Sequence, residues 1–234
     1  MISVCMATYN GSKYIKEQID SILSQLSLED ELIISDDHST DNTVEIIKSL
    51  NDPRIKIFMN ELEKGYTRNF ENAINKSSGE IIFLADQDDV WCDNKVELML
   101  KSLLNATLVI SDARVVDGEL KTIKNSHFSE YGVKTGFLHN FLKTRYIGAC
   151  MAFKRELLEK AMPFPKNQKL CAHDYWIALV GEAYYKVALI NEPLMLYRRH
   201  GNNALTGGDG STRSLSMKLK VRSYCALQLM TRLK

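Results

Sequence analysis

The chain has 234 residues, with 30 Lys and Arg against 29 Asp and Glu and a net charge of +1. That balance excludes a general nucleic-acid binder, which carries a strong basic excess. Apolar residues make up 45% and charged residues 25%, the composition of a soluble globular protein, and no apolar run approaches the length of a membrane span.

Residues 2–6 read as a buried strand directly after Met1, with no secretory leader ahead of it, so a cytoplasmic protein is expected. A helix is predicted from about residue 12, where Ile15, Ile19, Ile22, Leu23 and Leu26 form an apolar stripe. Residues 31–35 form the second predicted strand, followed by a helix through Val44, Ile47 and Leu50, capped by Ser39 or Thr40 and stopped by Pro53. Residues 55–59 are a third strand, and the next helix carries Phe70, Ala73 and Ile74 and ends at Gly79. Residues 80–85 are a fourth strand, with a helix through Val96, Leu100 and Leu103 beyond it. Strand and helix in alternation imply a mainly parallel sheet with helices on both faces. Ligands of such sheets bind beyond the carboxyl ends of the strands.

The second half is less regular. Residues 108–111 and 113–116 read as strands with a hairpin at Asp117-Gly118, residues 135–143 as a helix and 148–154 as a strand. Residues 173–184 are a predicted helix with Trp176, Leu179 and Val180 inward, and 186–190 and 194–197 are short strands of a small second sheet. A Gly- and Asn-rich stretch from residue 201, expected to be mobile, leads to a basic amphipathic helix near the C-terminus. The cysteines at 5, 92, 150, 171 and 225 form no C-x-x-C pair and are odd in number, which excludes a disulfide framework and fits a reducing compartment.

The densest chemistry lies at residues 81–91, where an apolar strand ends in Asp86-Gln87-Asp88-Asp89. Carboxylates this close raise one another's pKa unless a cation offsets the repulsion, and hard oxygen ligands suit Mg²⁺ or Mn²⁺ holding a phosphate. An EF-hand would place Asp86, Asp88 and Glu97 at its first, third and twelfth positions, but Val90 and Trp91 stand where it needs a ligand and a glycine. Capping of the next helix explains one of the acids, not three. Strand one ends in Thr8-Tyr9-Asn10 and strand two in Asp36-Asp37, so three polar clusters reach one edge of the sheet. Neither a P-loop nor a dinucleotide G-x-G-x-x-G follows a strand.

Ala7-Thr8-Tyr9-Asn10-Gly11, Ser35-Asp36-Asp37-His38-Ser39-Thr40-Asp41 and Asp86-Gln87-Asp88-Asp89-Val90-Trp91 stand in the order and spacing of inverting family-2 glycosyltransferases of the GT-A fold. His173-Asp174-Tyr175-Trp176 and Tyr197-Arg198-Arg199-His200-Gly201-Asn202-Asn203 resemble later motifs of the bacterial rhamnosyltransferase-like subgroup that builds surface polysaccharides. The resemblance implies an α/β, Rossmann-like nucleotide-sugar-binding fold over residues 1–206, with a nucleotide-binding half (1–111) and an acceptor-binding half (112–206). It implies that Thr8, Tyr9 and Asn10 line the nucleoside pocket, that Asp37 binds the pyrimidine and that Arg68 touches the nucleobase or diphosphate. Asp88 matches the metal ligand of the D-x-D signature, Asp86 its partner near ribose and metal, and His200 a late histidine completing the metal site. Gly148 lies where the backbone approaches the donor sugar, and Asp174 matches the catalytic base. The expected cofactor is Mn²⁺ or Mg²⁺, the donor a UDP- or dTDP-sugar and the acceptor a saccharide or polyprenyl-diphosphate-linked saccharide. Peripheral membrane contact through the basic C-terminal helix would suit such an acceptor. From the residues alone, a nucleotidyltransferase and a non-catalytic nucleotide-sugar-binding module remain alternatives. For Asp174 helix capping is the rival role, and for His200 a surface position in a basic stretch.

Overall fold

The computed structural model describes residues 1–200 and 214–233, so the expected mobile stretch and the domain boundary at 206 lie outside the described residues. The chain opens with four strands, each joined to the next by one helix: β1 (Ile2–Thr8), α1 (Ile15–Leu23), β2 (Glu31–Asp36), α2 (Thr43–Ser49), β3 (Ile55–Met59), α3 (Tyr66–Lys76) and β4 (Ile81–Asp86). They pair in parallel in the order β3-β2-β1-β4. β1 and β2 are buried on both faces, which is why their sequences run almost continuously apolar instead of alternating. The register sets Thr8 beside Asp36 and Ala7 beside Asp86, bringing the three polar strand ends to one edge. α3 is buried although polar. Asn69 Nδ2 donates to Thr8 O (3.0 Å) and Asn72 Nδ2 to Ser35 Oγ (2.8 Å), so its inner face meets the strand ends with amides as well as Phe70, Ala73 and Ile74.

The second half adds β5 (Val90–Trp91), α4 (Lys95–Leu103), β6 (Leu108–Val116), β7 (Thr122–Lys124), α5 (His127–Tyr131) and α6 (Phe137–Lys143). A 3₁₀ turn over Gly148–Cys150 leads to β8 (Met151–Lys154), α7 (Leu158–Ala161), α8 (His173–Tyr184), β9 (Val187–Arg198) and α9 (Leu215–Met230). The strands expected to make a small second sheet instead extend the first, giving one nine-stranded sheet in the order β3-β2-β1-β4-β8-β6-β9-β5, with β7 on β6. The reason is β8, which pairs antiparallel with both β4 and β6 and carries the ladder across. The first half of this sheet is parallel, and antiparallel ladders enter only from β8 onward.

Two pairs of short predicted strands are single strands with irregularities. β6 shifts register at Ser111/Asp112, where the Asp112 carboxylate takes the N–H groups of Ala113 (2.7 Å) and Phe128 (2.9 Å). β9 pairs with β6 through the same shift, with Pro193 opposite Asp112. Asp41, not Ser39 or Thr40, serves the start of α2, its Oδ1 accepting from Thr43 N (3.1 Å) and Oγ1 (2.5 Å). The five cysteines are unpaired.

At the edge remote from the acidic loop, Glu31 ties the parallel strands together. Its buried carboxylate accepts from Ser3 Oγ (2.6 Å), Lys56 Nζ (2.7 Å) and both Ser78 N (2.7 Å) and Ser78 Oγ (2.9 Å). Burial pushes its pKa up, but the hydrogen bonds from Lys56, Ser3 and Ser78 outweigh it and lower the carboxyl from 4.5 to about 2. A depressed folded-state pKa contributes stability that is full above the unfolded value and fades as pH falls through the folded one. Glu31→Gln should therefore cost about 1–3 kcal/mol at neutral pH. Its loss of stability on acidification from pH 4.5 toward 2 should be shallower than that of the parent. Chemical denaturation at a series of pH values checks both, and parallel stability–pH curves would contradict the assignment.

Candidate active site

The acidic loop after β4 is held from beneath by α1. On α1, Gln18 Nε2 donates to Asp86 O (2.9 Å) and Ser21 Oγ, one turn on, accepts from Trp91 N (3.0 Å), while Gln25, in the turn just past the helix, accepts from Val96 N (3.1 Å) and donates to Cys92 O (3.1 Å). Gln87 then clamps the end of the β1 loop, accepting from Tyr9 N (2.9 Å) and donating to Tyr9 O (3.0 Å). A Cβ at Gly11 would collide with the Gln87 side chain, so the glycine permits this close approach. Asn10, at φ 48°, accepts from Thr40 N (2.8 Å) and joins the β1 and β2 loops.

From the far end of the chain, β9 closes on the same loop. His200 Nε2 lies 2.8 Å from Asp88 Oδ2, and its ring packs 5.0 Å from Tyr14. Arg198 is buried at 2% exposure. Its backbone N–H donates to Asp89 Oδ1 (2.9 Å), Nε to Asp88 O (2.7 Å), Nη1 to Gly118 O (2.9 Å) and Nη2 to Glu17 Oε2 (2.5 Å), with the guanidinium 4.4 Å over the Tyr14 ring. Between these parts opens a cavity of about 460 Å³ lined by Tyr9, Asn10, Lys13, Tyr14, Asp88 and His200 among others.

The loop's electrostatics follow from its crowding. Desolvation first, then the charges of Asp88 and Asp174, push the Asp86 carboxyl up to about 7. Asp174, in the first turn of α8, is near enough for its charge to act on Asp86. Asp89 is fully buried, one oxygen on Arg198 N and the other without a partner among the described residues. Burial and the charges of Asp88 and Asp86 lift its pKa well above the ordinary value, against the Arg198 N–H and Lys95. It does not cap α4, which starts at Lys95 behind Asn94 and has no side-chain cap. Asp89 is a structural acid that anchors β9.

Other expected residues take different places. Arg68 does not reach toward a ligand: its buried guanidinium pairs with Glu71 and donates to Phe164 O (3.4 Å) and Pro165 O (2.9 Å), fixing the 164–165 loop on α3. Thr8 is buried and turns its hydroxyl to Asp36 Oδ2 (2.9 Å), so it braces the strand ends instead of lining the cavity. Asp37 accepts from Asn60 Nδ2 (2.7 Å) and Gly65 N (2.9 Å), holding the segment before α3. Gly148 lies against α8, where a Cβ would come within 2.9 Å of His173 Nε2 and 3.2 Å of Asp174 Cβ. Asp174 Oδ1 accepts the N–H of Tyr175 (2.7 Å). Trp91 and Trp176 are packing residues, both buried.

The donor set fits a divalent ion that keeps ligands from elsewhere. Asp88 and His200 place two donor atoms together, and among the described residues no group of three His, Cys, Asp or Glu closes around a metal position. The expected triad with Asp86 is therefore not formed. Ions of the Mg²⁺ type are commonly held by one or two carboxylates plus phosphate oxygens and water.

Residues 3–162 match the family model described as glycosyl transferase family 2. The chain belongs to that family. Among its relatives, it is 30% identical over 232 residues to the dTDP-rhamnosyl transferase RfbG of Shigella flexneri, covering 92% of this chain and 77% of that one. It is 36% identical over 182 residues to an Escherichia coli protein, UDP-Glc:alpha-D-GlcNAc-diphosphoundecaprenol beta-1,3-glucosyltransferase WfgD, covering 76% of this chain and 68% of that one. The fold is similar to that of S. aureus TarS in complex with UDP-GlcNAc, with TM-score 0.74 and 18% identity over 97% of this chain and 66% of TarS 1-349. It is also similar to the Pyrobaculum calidifontis mannosyltransferase PcManGT in complex with GDP-Man and Mn²⁺, with TM-score 0.64 and 20% identity over 99% of this chain and 72% of that one. The chain thus spans about two thirds to three quarters of the length of these proteins.

Family-2 motifs account for Asp88, His200 and Asp174 but not for what holds them. Glu17, Gln18 and Ser21 on α1 and Gln25 just past it carry no motif signal because they lie between apolar positions, and Arg198, though inside the late motif, has no role assigned by it. Arg198→Lys keeps the charge but loses the fork that binds Asp88 O, Gly118 O and Glu17 together. The loss of a hydrogen bond to a charged group should destabilise by about 1.5–3 kcal/mol. Metal-supported nucleotide binding should weaken on the order of tenfold, since that is about 1.4 kcal/mol. Calorimetry alongside thermal melts checks this, and an unchanged affinity would mean that the acidic loop keeps its shape without Arg198.

Proposed function

We propose that this chain is an inverting transferase that moves a sugar from a pyrimidine nucleoside diphosphate, UDP or dTDP, to a saccharide or polyprenyl-diphosphate-linked saccharide acceptor. The observation that carries the reading is the meeting of Asp88 with His200 at 2.8 Å beside the cavity. The names of RfbG and WfgD, a dTDP-rhamnosyl transferase and a UDP-Glc-dependent enzyme acting on a diphosphoundecaprenol-linked sugar, favour these donor and acceptor classes.

In this reading Tyr9, half exposed on a clamped backbone, offers an aromatic face to the nucleoside. Asp37 keeps lone pairs beyond those used by Asn60 and Gly65, enough to accept a base N–H. Asp88 and His200 would hold a divalent ion, Mn²⁺ or Mg²⁺, which when bound would supply Lewis-acid stabilisation of the diphosphate charge. Asp174 accepts the proton of the acceptor hydroxyl. The acceptor oxygen bonds to the anomeric carbon from one side as the bond to the diphosphate oxygen breaks on the other, and that electron pair leaves with the nucleotide. Asp174 suits the base role because, among the described residues, its carboxylate accepts only from Tyr175 N, on Oδ1, which leaves its second oxygen to the acceptor.

Calorimetry should find UDP or dTDP binding that needs Mn²⁺ or Mg²⁺ and is lost in Asp88→Ala; metal-independent binding unchanged in that variant would remove the metal site. Asp174→Asn should retain donor binding and lose on the order of 10²–10⁴ in turnover, the share of a general base. Near-normal turnover in a donor-hydrolysis or transfer assay would return Asp174 to a structural place at the start of α8.

A further inference from the structure

Exposed apolar side chains are not spread evenly over the molecule. Eight of the fifteen large exposed ones among the described residues lie on α6 or on the C-terminal segment that contains α9. α9 packs inward through Val221, Cys225 and Leu229, spaced i, i+4 and i+8, and is fastened by Tyr184 Oη to Leu229 O (2.8 Å) and by Asn167 N to Tyr224 Oη (3.0 Å). Its opposite face presents Leu219, Leu227 and Met230 at 57%, 60% and 62% exposure. A helix with apolar residues on both faces has a second surface still to cover. Arg222 donates to Leu142 O at the end of α6, so this outer face adjoins Leu138 and Leu142, 73% and 57% exposed.

The charges carried by the two helices themselves have one sign, and the neighbouring Glu182 is turned to Gly136 N and Asn140 Nδ2 of α6. α9 carries Lys218, Lys220 and Arg222, α6 ends in Lys143, and neither helix contains an Asp or Glu. Pairing of this face with a second copy would bring cations against cations, whereas an anionic lipid surface complements leucines set among lysines. We propose that the outer faces of α6 and α9 form one surface that seats on an anionic bilayer. No described helix is long and apolar enough to cross a membrane, and the contact is interfacial.

The position of this surface gives it a use. α6 braces the start of α8 through Tyr175 Oη to Phe141 O (2.7 Å), one residue from Asp174. Seating α6 and α9 on lipid therefore holds the α8 end that bears Asp174 near the plane where a lipid-linked diphosphate acceptor resides. This inference rests on the transferase reading for its purpose, but the lipid contact stands or falls separately.

Sedimentation of the full chain with phosphatidylglycerol-containing vesicles, against vesicles of phosphatidylcholine alone, tests it. The chain should bind the anionic vesicles and release as salt rises. The triple variant Leu219→Ser, Leu227→Ser, Met230→Ser should bind at least tenfold more weakly, and Lys220→Gln roughly fivefold more weakly, both with nucleotide binding unchanged by calorimetry. Absent binding to anionic vesicles, equal binding by the triple variant, or a dimer that the triple variant dissolves would overturn the lipid surface. Each of these outcomes leaves nucleotide binding to report on the transferase reading by itself.

Discussion

Carboxylates from β4, from the loop beyond it and from the start of α8 gather at the carboxyl edge of the parallel strands. In that desolvated setting the neighbouring charges oppose ionisation of the two buried acids, Asp86 and Asp89. Asp86 is pushed up to about 7, and Asp89, sealed beneath Arg198, is held well above the ordinary carboxyl value. A chain left to relax would spread these groups into water. Here the α1 amides grip the loop backbone, and Arg198 fastens Asp88 O to Glu17 and Gly118. The repulsion is thus kept in the folded protein, which is the setting the proposed divalent cation would relieve.

The arrangement also assigns different work to acids that look equivalent in sequence. Asp36 and Asp89 are structural: the first accepts from Thr8 and Ser39, the second from Arg198 N. Asp88 alone in the loop meets an imidazole. For Asp88 and Asp89 the division comes from which β9-end groups meet them, His200 for the one and the Arg198 N–H for the other.

Much of the fold was legible because the first half obeys simple periodicities. Apolar runs ending in Gly, Asn or Asp gave the parallel strands, and the helix at His173–Tyr184 was bounded as it stands. Joining of the two halves into one sheet was not legible, since it depends on β8 pairing with β4 across a long stretch of sequence. Among the site candidates, the strand-end acids and Asp174 stand out in sequence because they sit inside motifs. Arg68 was misplaced because its spacing to Glu71, one helical turn on, is a local ion pair that a motif-based reading passes over. The α1 polar stripe was hidden by the more conspicuous apolar one, since a pattern of hydrophobicity records which face is buried and not what the adjacent face binds.

The surface of α6 and α9 belongs to the same scheme, because α6, α8 and α9 pack together and α8 carries Asp174 at its start. The most direct measurement on the acidic loop is anomalous diffraction at the manganese edge from crystals grown with Mn²⁺ and a pyrimidine nucleoside diphosphate. The expected result is one peak coordinated by Asp88, His200 and the diphosphate, with the direct hydrogen bond between the two side chains replaced by the ion. A nucleotide bound without a peak at that position, with Asp88 and His200 still bonded to each other, would contradict the assignment of the loop as the diphosphate clamp.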